Sequence, residues 1–476
     1  MKLETLNFDL VVVGAGPAGL TAALLASDAG LQVAVVDEQA APGGQIFRQP
    51  PATFNAPPSS AFATYPFGKK LLEQARSNTR IHWYYSCSAW GVFHPAKGGV
   101  QLAIVEGEHA RLLDCKKLLI ATGAYDLPVA FPGWTLPGVM TAGGVQTLLK
   151  SQFLCAAQRY VLAGSHPLLL LLAGQLLDAG AQIQEVAIAR PRPQIRELLA
   201  GWRALPGHGR MFVQLAGILL KLWRKKVPLR FSTIITRAQG RDAVERVTLS
   251  DVDAHWAVKP NTERSIEVDG LAIGYGLLAS TELARQAGCS VNWNPERGGW
   301  VVDHDDTMRT SLPHIYVAGE PAGVAGAEIA HCEGRLAGAS IIAELMPDQA
   351  SQTPLAHREL KRAKPFADTV ARFFAPRLDA LVRLADNSTL ICRCEDVTAG
   401  QVCDFLKTHP HVSSVNSVKL ACRSGMGPCQ GRYCQHTVAQ LVASERGIAI
   451  TDTGTYTAQA PIKPIPLTSL ALVEPD

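Results

Sequence analysis

Near its start the chain carries an unbroken apolar run, Leu10-Val11-Val12-Val13, that stops at Gly14 and gives way to a helical pattern from Leu20 to Ala29. A second apolar run, Val33 to Val36, ends in Asp37. Short apolar runs punctuated by glycine and alternating with helical periodicity predict strand, turn, helix and strand. The same pattern recurs where Leu118-Leu119-Ile120 meets Ala121-Thr122-Gly123 and where Ile315-Tyr316-Val317 meets Ala318-Gly319-Glu320. Between them Tyr160-Val161-Leu162-Ala163 ends at Gly164, with a helix predicted as far as Ala179 and a strand from Ile183 to Ile188. From Val213 to Val227 an apolar stretch closes on Arg224-Lys225-Lys226. It reads first as a core helix whose cations complement its C-terminal end, and second as a docking helix for a partner or a membrane surface. After Met346 the pattern changes to a charged linker and Arg/Lys-rich helical sequence, which predicts a domain boundary.

The first glycine run, Gly14-Ala15-Gly16-Pro17-Ala18-Gly19, has a specific chemistry in this setting. Glycines allow a tight turn and close approach of backbone to a pyrophosphate, and the helix N-terminus faces the phosphates. Asp37, 18 residues past Gly19, supplies a carboxylate for ribose hydroxyls. Pro42-Gly43-Gly44-Gln45 follows the second strand. These segments resemble the FAD-binding start of the glutathione-reductase-like flavoproteins, which carry a glycine pair at this position where backbone approaches the flavin. Leu118 to Gly123 is similar to the ATG motif that ends the first FAD segment of that class. Ile315 to Glu320 is similar to the strand-Gly-Asp motif whose acid binds the ribityl chain. The resemblance extends to about residue 340 and implies FAD held by Gly14, Gly16, Gly19, Asp37, Gly43, Gly44, Gln45, Thr122, Gly123, Gly319 and Glu320. Glu320 departs from the aspartate usual in the class. No Cys-x-x-Cys or Cys-x4-Cys pair precedes Cys392, so disulfide-reductase chemistry is not expected.

The class inserts a second unit for NAD(P)H where Tyr160 to Leu169 lies. Here only Gly164 of the three glycines survives, with His166 at the second position and Leu169 at the third. A side chain at the second crowds a pyrophosphate, and one at the third separates helix from strand. Ala187-Ile188-Ala189-Arg190 offers no ribose carboxylate. The expectation is a packing scaffold without a working NAD(H) site, with Arg190 and Arg192 as surface arginines.

Composition adds three constraints. At 476 residues the chain exceeds the roughly 250 that one core supports. A net charge of +4 from 45 basic and 41 acidic residues, spread along the chain, gives no nucleic-acid footprint. Eleven cysteines are present, of which Cys392, Cys394, Cys403, Cys422, Cys429 and Cys434 fall within 43 residues. The others are dispersed, which argues against a secreted disulfide framework and for a reducing compartment. No signal-peptide pattern is evident at the N-terminus, and the leucine tract from Leu168 is broken by Gly174 and Gln175, short of the ~20 residues of a membrane span.

Cys392-x-Cys394 and Cys429-x4-Cys434 are two close thiol pairs separated by 34 residues that predict a helical hairpin. Four thiolates suit tetrahedral zinc or an iron–sulfur cluster, and spacing leaves both open. Cys403 reads as core and Cys422 as an alternative ligand. The pattern, above all Gly425-Met426-Gly427-Pro428-Cys429-Gln430-Gly431-Arg432-Tyr433-Cys434, resembles the bacterioferritin-associated-ferredoxin-like domain. That resemblance implies a 2Fe-2S cluster on Cys392, Cys394, Cys429 and Cys434.

Taken in order, the segments are similar to one family over nearly the whole chain: the larger FAD-dependent subunit of D-hydroxyproline dehydrogenase, opine oxidase and hydrogen cyanide synthase complexes. The expected fold is α/β, a two-dinucleotide-binding-domain (glutathione-reductase-like) flavoprotein plus a small helical 2Fe-2S domain. The expected layout is an FAD domain in segments 1–130 and 271–346, a second Rossmann-like unit at 131–270, a linker at 347–386, the 2Fe-2S domain at 387–445 and an extended tail at 446–476. The resemblance implies an electron-accepting subunit of a heteromeric dehydrogenase that oxidises a C–N bond of an amino-acid-derived amine. It also implies a glycine-oxidase-like flavoprotein partner, a downstream electron acceptor and a small ferredoxin-like subunit. The alternatives are a hydrogen cyanide synthase subunit oxidising glycine and a self-sufficient NAD(P)H-dependent reductase. A scaffold subunit whose nucleotide site holds something other than FAD is a third reading. The expected location is the cytoplasm, with peripheral contact at the inner membrane. No acid–base constellation is evident: His331 beside Cys332 and Glu333, and His304 beside Asp303 and Asp305, read equally as surface or flavin-packing residues.

Overall fold

The run Leu10 to Val13 forms the inner end of the strand Thr5–Val13, and its side chains are almost completely buried. Strands apolar on both faces belong in a parallel sheet covered on both sides. In the computed structural model, which describes residues 5–51, 53–54, 64–96, 98–193 and 207–470, that is their setting. The chain divides into two compact units: Met1–Tyr125, Leu278–Phe373 and Ala458–Asp476 in the first, Asp126–Leu277 and Phe374–Thr457 in the second.

In the first unit Ile81–Tyr84, Val33–Val36, Thr5–Val13 and His109–Ile120 lie side by side in parallel, and Ile315–Val317 pairs with the far end of His109–Ile120. The near half of His109–Ile120 runs antiparallel to Val100–Glu106, which continues to Cys87–Phe93. Register brings the ends of four strands to one edge: Val13 opposes Val36 and Ile120, and Val317 opposes Ile120. All four glycine- or acid-bearing turns emerge there, at the carboxyl edge where α/β sheets bind ligands. The helix Pro17–Asp28 packs on Ala327–Leu345 through small residues, and a Cβ on Gly334 would lie 2.1 Å from the Ala18 carbonyl oxygen.

The second unit holds a five-stranded parallel sheet in the order Leu229–Phe231, Gln182–Ile188, Arg159–Gly164, Gly270–Gly274, Val139–Thr141, and a three-stranded antiparallel sheet, Thr233–Gln239, Arg246–Asp251, Arg264–Glu267. The predicted core helix forms as Gly209–Arg224, and its Ile218 and Leu222 join the core of the second unit, but its other apolar residues do not. Only Ile218 and Leu222 are buried, whereas Val213 and Trp223 are 74% and 75% exposed and Phe212, Leu219 and Leu220 face outward with them. Apolar residues occupy more than one face, and Ile218 meets Gly174 of the neighbouring helix.

The stretch expected as a linker carries the helix Thr353–Phe374, and its Ala356, Leu360 and Ala367 join the core of the first unit. The cysteine module lies in the second unit, where Leu378–Val382 packs on Gln435–Arg446. In the tail, the Ile462 amide donates to the Trp90 carbonyl of the first unit at 2.9 Å. Among the described residues no helix is long and apolar enough to cross a membrane.

Candidate functional site

The first candidate site is the glycine edge of the first unit. Gly14 has φ +107°, and a Cβ there would lie 2.2 Å from the Ala121 carbonyl oxygen, so the turn after the first strand is open only to glycine. Gly44, φ +59°, brings its backbone against Gly16, where a Cβ would meet the Gly16 Cα at 2.8 Å. Gly16 caps the Pro17–Asp28 helix with no side-chain hydrogen bond, and no acidic residue sits in its first turn. This is a helix N-terminus suited to an anion. Asp37 leaves the adjacent strand, and its carboxylate accepts from the amides of Ala15 (2.6 Å) and Gln39 (2.7 Å). Burial nonetheless pushes its pKa up, against those two bonds. Gln45 donates weakly to the Ala124 carbonyl (3.4 Å). Thr122 donates to the Ser280 carbonyl (2.7 Å), and Gly123 sits at φ +77° facing open space. The glycine cradle, the uncapped helix and the carboxylate at the strand end fit a dinucleotide such as FAD.

Around Gly319 the structure shows the partners of Glu320 and brings in Glu333, which the motif does not include. Glu320 turns its carboxylate onto the amides of Ala325 (2.8 Å) and Gly326 (3.2 Å), ahead of the Ala327–Leu345 helix, and burial raises its pKa. Glu333, 6% exposed, accepts from the Gly319 amide at 2.9 Å. Burial pushes its pKa up to about 8, the Gly319 amide opposes this, and Glu320 adds to it. His331 pairs with the Thr21 hydroxyl (2.7 Å) and stacks on Phe67 (4.4 Å), and burial holds its pKa down near 4. Thus His331 and Glu333 belong to the interior behind this edge, while His304 lies on an exposed turn. A carboxylate nearly two turns into an alanine-rich helical segment is the only sequence signal for Glu333.

At the matching position of the second unit the geometry is closed. The amides of Ser165 and His166 both donate to the Gly274 carbonyl (3.0 and 2.9 Å). The Leu168 amide donates to Nδ1 of His166 (3.3 Å), whose pKa burial lowers to about 4, leaving a neutral ring as acceptor. Leu169 is fully buried, and a Cβ on Gly164 or Gly274 would come within 2.8 or 2.9 Å of its side chain. Arg190 lies over the Phe374 ring at 5.9 Å.

The second candidate site is the cysteine module. Leu390–Cys392 pairs antiparallel with Val397–Thr398, and Thr398 begins the Ala399–Thr408 helix with a capping box to Gln401. Trp134 anchors this corner: its Nε1 donates to the Leu390 carbonyl (2.6 Å) and its ring lies 5.6 Å from the Arg393 guanidinium. The Val415–Cys422 helix completes the hairpin, and the Gln435–Arg446 helix follows Cys434. The thiols pair across the two motifs, not within them: Cys392 contacts Cys434, and Cys394 contacts Cys429. The Cys434 contact first, then the amides of Gly425, Glu395 and Cys394, lower the Cys392 pKa to about 6 against its burial. The same contact pushes the Cys434 thiol up, so the two share one proton between them.

A Cβ on Gly427 would lie 2.3 Å from that of Cys394, so this position admits no side chain. Cys403 and Cys422 lie in the hairpin helices outside both pairs, and burial raises both thiols. Among the described residues no group of three or more His, Cys, Asp or Glu side chains closes on one point as a single metal ion would require. The two thiol pairs fit the two irons of a binuclear iron–sulfur cluster.

Comparison with known proteins agrees with this division. Residues 8–337 match the pyridine nucleotide-disulphide oxidoreductase family and residues 390–444 the BFD-like [2Fe-2S] binding domain. The chain is 35% identical to an opine oxidase subunit of Agrobacterium tumefaciens (strain Ach5), over 98% of this chain and 91% of that protein. It is 31% identical to hydrogen cyanide synthase subunit HcnB of Pseudomonas aeruginosa, over 98% of each. In fold it is similar to L-proline dehydrogenase from P. horikoshii, with a TM-score of 0.70 and 21% identity over 99% of this chain and 80% of that one. The chain therefore belongs to the pyridine nucleotide-disulphide oxidoreductase family and, within it, to the group formed by these opine oxidase and HcnB subunits, as an oxidoreductase subunit whose cofactors are FAD and a [2Fe-2S] cluster.

Proposed function

We propose that this chain is the electron-accepting subunit of a heteromeric dehydrogenase that oxidises a C–N bond of an amino-acid-derived amine, of the D-hydroxyproline or opine type. The observation that carries the reading is likeness to the opine oxidase subunit along the whole chain, cluster module included. FAD takes up electrons in pairs and a [2Fe-2S] cluster passes them on singly. The chain's own residues hold those groups. The Gly14-Gly16-Gly19 turn and its helix N-terminus receive the pyrophosphate, and Asp37 binds the ribose. Gly43, Gly44 and Gln45, with Thr122, Gly123, Gly319 and Glu320, line the remainder of the FAD. Cys392 and Cys434 hold one iron, and Cys394 and Cys429 the other. The amine binds in a glycine-oxidase-like flavoprotein partner, and a small ferredoxin-like subunit extends the relay towards the terminal acceptor. The chain works in the cytoplasm, with peripheral contact at the inner membrane.

The closed turn at Ser165-His166 supports amine over NAD(P)H as the electron source. Full-length likeness to HcnB favours one second reading, in which glycine is the amine. Copurification from the native host, followed by dye-coupled assay with D-hydroxyproline, opines and glycine, separates the two. The expected result is turnover of a proline derivative or an opine only with the partner present. Anaerobic bleaching of the flavin band by NADH alone would overturn the reading.

A further inference from the structure

Tyr456 lies beyond residue 444, where the [2Fe-2S] match ends, yet only 2% of it is exposed. Its place is set by the backbone on either side. The Asn416 side chain donates to the Thr455 carbonyl (3.0 Å) and accepts from the Thr457 amide (3.0 Å). The Tyr456 amide donates to Gln435, next to Cys434, at 3.1 Å. Held this way, the ring enters a slot between Gly425 and Gly431, both at positive φ, and a Cβ on either would lie 2.4 Å from a ring carbon. These two glycines of the cysteine loop make room for a tail residue.

At the far end of the ring the hydroxyl is 3.0 Å from the Ser424 hydroxyl and within hydrogen-bond reach of the Cys434 sulfur. Ser424 and Cys434 are fully buried, so water does not compete. A metal-bound thiolate has no proton to give. The Tyr456 hydrogen therefore points at sulfur, and Ser424 donates to the phenolic oxygen.

We propose that the Tyr456 hydroxyl donates a hydrogen bond to the Cys434 sulfur and, through it, raises the reduction potential of the cluster. The proposal rests on Cys434 being a cluster ligand. A donor aimed at a ligand sulfur stabilises the reduced, more negative cluster more than the oxidised one, and enclosure in a dry site strengthens it. Three backbone amides also reach Cys392, the other member of this pair.

Tyr456→Phe in the full-length chain keeps the ring in its slot and removes only the hydroxyl. The measurements are iron per chain and a redox titration of the cluster followed by absorption and EPR. The expected result is unchanged iron with a lower potential, up to a tenfold change in the reduction equilibrium, which is about 59 mV for one electron. Ser424→Ala shifts it the same way by less. A potential that stays put or rises overturns the proposal. Loss of the cluster in Tyr456→Phe also overturns it, because the role is then structural. Cys434→Ser tests the ligand assignment separately: native cluster signals in that variant would overturn both, whereas an unmoved potential in Tyr456→Phe overturns the hydroxyl's role alone.

Discussion

The two dinucleotide-type units each place a glycine where an apolar strand ends and part company within one turn of helix. Gly14 follows the strand Thr5–Val13 at φ +107° and Gly164 is the last residue of the strand Arg159–Gly164, and a Cβ at either would strike a carbonyl oxygen on a neighbouring strand, at 2.2 Å from Ala121 and 2.0 Å from Gly274. This glycine is a requirement of the sheet and persists whether or not a ligand binds. The next two positions are requirements of a ligand and of close helix packing. The first unit keeps Gly16 and Gly19, leaving its helix N-terminus bare. The second has His166 and Leu169, and their side chains consume the free amide and the free volume. One surviving glycine is thus evidence of fold, and three together are evidence of a nucleotide.

The sharpest way to break this comparison is to exchange the third position. In Gly19→Ala the added methyl would lie 1.9 Å from the Gly14 carbonyl oxygen and 3.0 Å from Val12, so the helix must move off the strand. The expected outcome is a chain purified without flavin, read from the ratio of flavin to protein absorbance. The converse change, Leu169→Gly, restores the motif on paper. It removes a fully buried side chain and is expected to cost about 4 kcal/mol in denaturant unfolding, with no gain of NADH reactivity. If Leu169→Gly proved neutral, the second unit would not be the packed scaffold described above.

The first unit carries a burden of its own in Glu333. Its pKa of about 8 stands above the ordinary value near 4.5, so the folded chain holds a proton that the unfolded chain releases. Stability from this group is fully present below about pH 4.5 and is lost as pH rises to about 8. Glu333→Gln keeps an acceptor for the Gly319 amide and removes the titration. It is expected to flatten the fall in Tm between pH 5 and pH 8, making the variant the more stable at pH 8 by a few kcal/mol at most. A Tm profile parallel to that of the parent chain would show that Glu333 is not the titrating group.

What could be read from the sequence follows the same division between local and distant. The Gly14 turn, the place of Asp37 at a strand end, the Gly43-Gly44 pair at positive φ and the lost glycines of the second unit are legible because each is set within a few residues of chain. The cysteine motifs are legible as a module, but not their cross-pairing, which depends on how the hairpin returns. Tyr456 is silent, and Glu333 is visible only as a neighbour of His331, because their partners, Cys434 and Gly319, reach them only through a tail folding back and a helix docking. The Gly209–Arg224 helix departs from expectation for a related reason: an apolar stretch predicts a face to be covered, and only tertiary structure says whether the chain covers it.

The smallest expected effect separates a plugged nucleotide site from a lost one. His166→Gly removes the ring that accepts from the Leu168 amide, a long bond at 3.3 Å, so the stability cost is about 1 kcal/mol. If His166 alone blocks a competent site, this variant admits a pyrophosphate, and anaerobic NADH bleaches its flavin where it leaves the parent unchanged. The expected outcome is no bleaching in either. The Ser165 amide and the amide of residue 166 remain committed to the Gly274 carbonyl, Leu169 still fills the space over Gly164, and the strand ending at Ile188 still offers no carboxylate for a ribose. Each missing element would have to be restored together, because a dinucleotide is held by the turn, the helix end and the acid acting as one site.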